Sequence, residues 1–187
     1  MAVIPALLML LAATPAPGPL AVGDPLPRLA GRYLTGDPAV LPGDANGQVA
    51  LLALGFSYAS RVPVEAWSER FRARFGSDHA VTGYEIPMIG GMSRLGRPFI
   101  DGGMKRGTPE ALHRNVITVY GDTRPWRNRL GVKDRDAAYL VLIDAAGRVA
   151  WIHRGGFETA AFETLVREVR RLQAAPNAGA TGRRTGP

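Results

Sequence analysis

Histidine, serine and cysteine are the residue types from which a nucleophilic or metal-dependent site is most often built. The chain contains no cysteine, which excludes disulfides, thiolate nucleophiles, zinc–thiolate sites and iron–sulfur clusters together. His79, His113 and His153 are far apart in the sequence and no carboxylate cluster completes a ligand set, so no metal site is predicted. Ser57 and Ser60 have no histidine nearby in the sequence and are interpreted as turn or cap hydroxyls.

The turn that carries these serines lies between a predicted strand and a predicted helix. Residues 49–56 form a nearly unbroken apolar run of strand length, which predicts a strand buried on both faces. The helix that follows presents an apolar stripe, with most of its charged residues off the stripe. The stripe consists of Val64, Trp67, Phe71 and Phe75.

Two helix boundaries are indicated by proline and glycine. Pro63 suits the first turn of the helix after residue 60, and Gly76 stands where a left-handed C-terminal cap is expected. Thr108 and Pro109 predict a second helix start, with the threonine hydroxyl as N-cap and the proline at the first helical position.

The other elements are predicted from apolar periodicity. A short hairpin or edge strand is expected before residue 47, and Pro87 is expected to end regular pairing of the next strand. The predicted order is a strand at 81–86, a glycine-rich stretch at 90–107 with near-helical spacing of Leu95, Phe99 and Met104, a strand at 116–120, a short helix at 122–130, strands at 139–143 and 149–153 joined by a turn, and a final helix from Glu158.

This order resembles that of the thioredoxin-like, or redoxin, superfamily. The likeness rests on an opening Gly-Asp-Pro-Leu-Pro at residues 23–27, on the strand-turn-helix at 48–76, and on the strand, Asp-x-x-Gly turn and strand at 139–151. The resemblance implies an α/β domain at residues 20–173, with an insert at 90–109 and a central mixed β-sheet flanked by helices on both faces.

The residues that perform redox chemistry in that superfamily are absent. The positions of the two motif cysteines are occupied by Arg61 and Val64, and the position of the cis-proline before the third core strand is Ala138. A cis bond before alanine would cost about 2.5–4 kcal/mol. The sequence therefore predicts a domain without thiol–disulfide or peroxidase activity, and no cofactor is expected.

A second resemblance concerns the glycine-rich insert. The segment Gly-Met-Lys-Arg-Gly-Thr-Pro at residues 103–109, together with the Tyr-Gly-Asp strand end at 120–122 and the strand-turn-strand at 139–151, is similar to the thioredoxin-like mitochondrial ATP synthase assembly factor family. In that family the redox cysteines can be absent, and the resemblance implies a chaperone for a membrane subunit.

The function predicted from these features is a non-catalytic, chaperone-like interaction or assembly protein. Its working surface is placed at the lost active site and the insert, opposite the loop at 134–138, with binding residues Tyr58, Arg61, Phe99, Met104, Lys105, Arg106 and Trp126. A simpler interpretation is that the apolar residues of this set are core and the basic ones only solvated. The alternative function is a redoxin-superfamily enzyme that uses other residues such as Tyr58, Arg61 and Asp101.

The formal net charge of +7 favours an anionic partner. Because the basic residues are scattered and no basic, aromatic-interleaved stripe is present, nucleic acid is not expected. The predicted partner is a protein client that is acidic or membrane-bound, and the oligomeric state is left open.

The two ends of the chain are predicted to lie outside the domain. Residues 1–18 contain a short apolar run followed by small residues and prolines, which predicts a secretory signal peptide and a mature protein that begins between Ala16 and Leu20. The protein is thus expected in the periplasm or outside the cell, unless this run is a mis-set start or a disordered apolar tail. Residues 174–187 are small and polar and are predicted to be disordered.

Overall fold

The computed structural model describes residues 18–91, 93 and 95–174, so nearly all of the predicted signal peptide and tail lie outside the described residues. The described residues form seven strands and four α-helices, and every predicted strand is present. The elements are β1 (Leu29–Tyr33), β2 (Pro38–Leu41), β3 (Val49–Gly55), α1 (Arg61–Phe75), β4 (Val81–Gly90), α2 (Arg97–Gly107), β5 (Ile117–Gly121), α3 (Arg124–Leu130), β6 (Ala138–Ile143), β7 (Val149–Gly155) and α4 (Thr159–Ala174).

The strands form one mixed sheet in the order β2-β1-β5-β4-β3-β6-β7. β4 is parallel to its neighbours β3 and β5, whereas the other neighbouring pairs are antiparallel. All seven residues of β3 are buried, as expected of a strand with neighbours on both sides and apolar layers on both faces. The predicted mixed sheet with a fully buried central strand is confirmed.

Helices cover both faces of the sheet, as predicted. On one face α1 contributes all four residues of its predicted stripe, and α4 adds Leu165 and Val169. On the other face α3 contributes Trp126 and Leu130. Burial of a large apolar side chain contributes about 1.5–3 kcal/mol, so these contacts hold the helices to the sheet.

α2 differs from the other three α-helices because none of its residues is buried. It also contains Gly102, Gly103 and Gly107, and glycine in a helix is less favourable than alanine by roughly 0.5–1 kcal/mol. No helix among the described residues is long and apolar enough to cross a bilayer.

Gly76 is the C-cap of α1 at the predicted position, but its predicted left-handed conformation is wrong, and so is the helix start predicted at Thr108. Gly76 has a φ of −65°, which is right-handed, but a Cβ there would lie 2.6 Å from the Arg72 carbonyl oxygen. Close backbone contact therefore explains the glycine. Thr108 is extended and makes no capping bond, and the short connection to β5 holds only a 3₁₀ turn, Glu110–Leu112, with Pro109 at its N-cap.

The prediction that Pro87 ends regular pairing is also wrong. β4 continues through Pro87 to Gly90, and Pro87 is itself paired with Gly55 of β3. A proline is tolerated here because its missing N–H is directed toward β5, where the pairing with β4 is interrupted and resumes at Met88. Pro87 thus marks the point at which β4 changes its main partner from β3 to β5.

Candidate functional site

The turn between β3 and α1 is closed by its two serines. The Ser60 hydroxyl donates to the Ser57 carbonyl oxygen at 2.7 Å, and the Ser60 N–H donates to the Ser57 Oγ at 3.0 Å. Ser60 is buried, and a Cβ at Gly55 would lie 2.5 Å from its Oγ, so β3 must end in glycine. The interpretation of both serines as turn hydroxyls is confirmed.

The loop before β6 lies against this turn, as the sequence predicts. The Ser57 hydroxyl donates to the Asp136 Oδ1 at 2.6 Å, and the Arg135 guanidinium donates to the Phe56 carbonyl oxygen. Ala138, which occupies the position of the missing cis-proline, is fully buried and pairs with Gly155 of β7. The two segments that would hold the redox motif are therefore assembled, although the motif itself is absent.

A cleft of about 610 Å³ opens between the N-terminus of α1 and the insert helix α2. This volume falls in the range of ordinary ligand-binding clefts. Four of the predicted site residues, Tyr58, Arg61, Phe99 and Met104, line it together. The other lining residues include Phe56, Val64, Met88, Ile89, Ile100, Val116, Glu65, Glu85 and Arg135.

Two large aromatic side chains at the cleft are almost fully exposed. Tyr58 is 86% exposed and Phe99 is 85% exposed, so neither belongs to the core. Val62 and Leu95, in the segments next to them, are exposed as well. Exposed apolar side chains concentrated around one cleft are typical of an interaction surface.

Three predicted site residues do not line the cleft. Trp126 of α3 is buried in the core and does not line the cleft, so the structure does not bring it to this surface. Lys105 and Arg106 are exposed on α2, but Phe99, Met104 and other residues of that helix form the cleft wall. The simpler interpretation, in which the apolar residues of the predicted binding set are core, is thus correct for Trp126 and wrong for Phe99.

Of the three residues of the enzymatic alternative, Tyr58 and Arg61 lie together at the cleft, whereas Asp101 does not line it. Arg61 lies 5.6 Å from the centroid of the Tyr58 ring and 3.4 Å from the Glu65 carboxylate. Asp101 instead accepts a hydrogen bond of 2.6 Å from the Tyr120 hydroxyl, and burial and this bond raise the pKa of Tyr120. Asp101 therefore ties α2 to β5.

Sequence reasoning missed the acidic residues of the cleft, above all Glu85. Its carboxylate is 3.4 Å from the Arg72 Nη2 and its side chain is 24% exposed. Burial raises the pKa of Glu85, and the nearby Glu65 and Glu69 act in the same direction, while Arg72 opposes them. Alternation along β4 places Glu85 on the same face as Val81, which is the signal that could have revealed an inward-pointing charge.

The chemical character of the cleft is set by its charged and apolar side chains. Within the described residues no three histidine or acidic side chains lie close enough to hold a metal ion. The charged groups that line the cleft, Arg61, Arg135, Glu65 and Glu85, balance one another, and most of the remaining surface is apolar.

Comparison with known proteins defines the class of fold. No protein-family model and no curated protein matches this sequence. Among solved structures, a chain named thiol:disulfide interchange protein DsbE from Chlorobium tepidum is 22% identical, covering 82% of this chain and 98% of its own, with a TM-score of 0.55. At such identities the likeness shows the fold alone: the chain has a thioredoxin-like fold, as predicted.

Other solved structures with this fold carry different names. The exposed lipoprotein thioredoxin Etrx1 from Streptococcus pneumoniae is 17% identical, covering 76% of this chain and 99% of its own, with a TM-score of 0.52. BsSco, a member of the Sco family of cytochrome c oxidase assembly proteins, is 12% identical, covering 83% and 99%, with a TM-score of 0.55. The fold is thus shared with thiol:disulfide interchange proteins and with an assembly protein, whereas this chain has no cysteine.

Proposed function

We propose that this protein is a non-catalytic, thioredoxin-fold binding protein that holds an apolar segment of a client protein in the cleft between α1 and α2. One observation carries the proposal. The cleft is intact, apolar and edged by exposed aromatic residues, although the thiol chemistry of the fold has been lost. Apolar surface left in water without a partner is unfavourable, so its concentration at one cleft favours a binding role.

In this proposal the protein acts as a chaperone or assembly protein, and it is located outside the cytoplasm. BsSco, the member of an assembly-protein family among the solved structures named above, supports the first point, and the exposed lipoprotein thioredoxin supports the second. The net charge of +7 and the exposed Lys105 and Arg106 on α2 support an acidic or membrane-bound client. Lys105 and Arg106 would then attract the client at the rim of the cleft, because the two basic and two acidic residues that line the cleft neutralise one another.

The proposal is tested with a short fluorescent peptide that alternates leucine and serine. Fluorescence anisotropy measures its affinity for the purified protein. The protein should bind the peptide, and a Tyr58→Ser/Phe99→Ser double variant should bind it at least about tenfold more weakly, a loss of roughly 1.4 kcal/mol. Both side chains are exposed, so the free energy of unfolding should change by less than about 0.5 kcal/mol per site.

Val22→Ser is the matched control, because Val22 is also a large exposed apolar residue but does not line the cleft. This variant should bind the peptide as well as the unmodified protein. Failure of the unmodified protein to bind, or equal losses in the control and the double variant, would show that the cleft is not the binding surface.

A further inference from the structure

Within the cleft, β4 extends beyond the end of its neighbour β3. The last paired residues of β3 and β4 are Gly55 and Pro87, but β4 continues to Gly90 and there pairs with β5. Met88, Ile89 and Gly90 all line the cleft. A short length of sheet edge is therefore exposed inside the cleft, along the line that β3 would have followed.

The direction of the backbone groups on this edge follows from two contacts. The Glu85 N–H donates to the Asn115 carbonyl oxygen, on the β5 side. Pro87 has no N–H, so its pairing with Gly55 must be made by Ile86 and Met88. Because successive residues of a strand direct their backbone groups to opposite sides, the Met88 carbonyl and the Gly90 N–H are directed to the open side, whereas Ile89 faces β5.

The chain itself does not fill this edge. Gly55 bonds to β4, so the next residue of the chain directed to that side would be Ser57, whose N–H donates to the Ser60 Oγ at 3.2 Å and whose carbonyl oxygen accepts from the Ser60 hydroxyl at 2.7 Å. Both groups that would continue the β3 ladder are thus used elsewhere. Among the described residues no hydrogen bond reaches Met88 or Gly90 from this side beyond the Gly55 pairing.

We propose that the client segment binds as an added strand on the open edge of β4 at Met88–Gly90, with alternate side chains directed into the cleft. This inference rests on the proposed function and specifies its geometry. Addition of a strand to a sheet edge supplies affinity through main-chain hydrogen bonds and selectivity through alternate side-chain positions. The occupant is therefore an extended peptide, whose apolar side chains contact Phe56, Phe99 and Met104.

The charge of the cleft adds one requirement to the occupant. Glu85 lines the cleft, with Glu65 and Glu69 nearby, and among the described residues one guanidinium group, that of Arg72, lies close to it at 3.4 Å. A lysine or arginine among the inward side chains of the segment complements this carboxylate. The fitting segment thus has apolar residues at alternate positions and one basic residue in the same row.

The test uses a peptide that alternates leucine and serine, with one inward leucine replaced by lysine, and the full-length protein. Amide hydrogen exchange should slow at least about tenfold at Gly90 when the peptide is bound, and stay unchanged at Ile89, which is already bonded to β5. N-methylation of the peptide at alternate positions should weaken binding at least about tenfold in one set and little in the other.

A second arm tests the charge requirement. Glu85→Gln should weaken binding of the lysine peptide but not of the same peptide with norleucine in place of lysine. Peptide binding without protection of Gly90 and without an alternating N-methyl effect would overturn the strand geometry while leaving the proposed function intact. Equal effects of Glu85→Gln on both peptides would overturn the basic-residue requirement. Absence of any peptide binding would instead reject the proposed function itself.

Discussion

The guanidinium group of Arg135 donates two hydrogen bonds to the Phe56 carbonyl oxygen, with distances of 3.0 Å from Nη2 and 3.3 Å from Nε. One side chain thus joins the end of β3 to the loop before β6, and both residues line the cleft. Arg135→Ala should lower the free energy of unfolding by about 1 kcal/mol and weaken peptide binding, because a backbone carbonyl loses its partner. Urea unfolding and anisotropy measure the two effects. Lys133→Ala, in the same loop, should change neither; equal effects of both variants would contradict this role for Arg135.

The absence of a thiol predicts that the protein is inert in insulin reduction and in peroxide consumption. The geometry around the helix start should nevertheless support the chemistry, because Arg61 is exposed at the N-terminus of α1 and Val64 is buried one turn later. An Arg61→Cys/Val64→Cys variant should reduce insulin measurably, since a helix N-terminus lowers the pKa of a thiol there. Arg61→Ser/Val64→Ser is the control. Turnover by the unmodified protein, or none by the cysteine variant, would contradict this prediction.

Glu85 predicts a specific dependence of stability on pH. Burial raises the pKa of Glu85 above the ordinary 4.5. The folded protein therefore binds a proton at this carboxyl group more tightly than the unfolded chain does. The free energy of unfolding should therefore fall as the pH rises from 4.5 to the raised value, and Glu85→Gln should remove this part of the decrease. Urea unfolding at a series of pH values measures it. Glu69→Gln, which changes an exposed residue on α1, should keep the decrease; an unchanged profile in Glu85→Gln would contradict the assignment.

Trp67 predicts a large loss of stability on truncation. The side chain is fully buried, with its ring centroid 5.1 Å from those of His153 and Phe157. Trp67→Ala should lower the free energy of unfolding by roughly 3–5 kcal/mol, because a large cavity remains between α1, β7 and α4. Tyr58→Ala, an exposed aromatic residue, should cost less than about 0.5 kcal/mol in the same urea titration. Similar losses in the two variants would contradict the packing described for α1.

We expect the protein to be exported, with its mature N-terminus between Ala16 and Leu20. Leu20 is buried and its N–H donates to the Arg129 carbonyl oxygen at 2.8 Å, so cleavage beyond it would remove a packed residue. Intact-mass measurement of the protein from the cell envelope fraction checks this prediction. A soluble cytosolic protein that retains Met1 would contradict it.

The sequence was a good guide where one strong pattern determines the structure. The apolar run at 49–56 has strand length and favours a strand buried on both faces, and the helical spacing of the α1 stripe favours a helix packed on that sheet. The Asp-x-x-Gly turn before β7 is closed by local hydrogen bonds, including that of the Ala146 N–H to the Asp144 Oδ1. These features were predicted correctly.

The failures occurred where a residue's role depends on a distant partner. Gly76 is required by its closeness to Arg72, and Pro87 is tolerated because of the side of β4 on which β5 lies. Trp126 and Phe99 have similar surroundings in the sequence, yet one is core and the other is exposed. Glu85 was missed although it alternates with the buried Val81 along β4, because its partner Arg72 lies on a different element, α1.

The wall of the cleft that α2 provides has a consequence for release of the client. A helix with three glycines and no buried residue should unfold locally at a much lower free energy than the sheet, so α2 melts before the domain does. Affinity falls in proportion to the fraction of molecules with α2 folded, whatever the contacts in the cleft. We therefore expect the client to dissociate on a moderate rise in temperature, while the sheet is still fully folded. In this view, local unfolding of α2 controls release of the client.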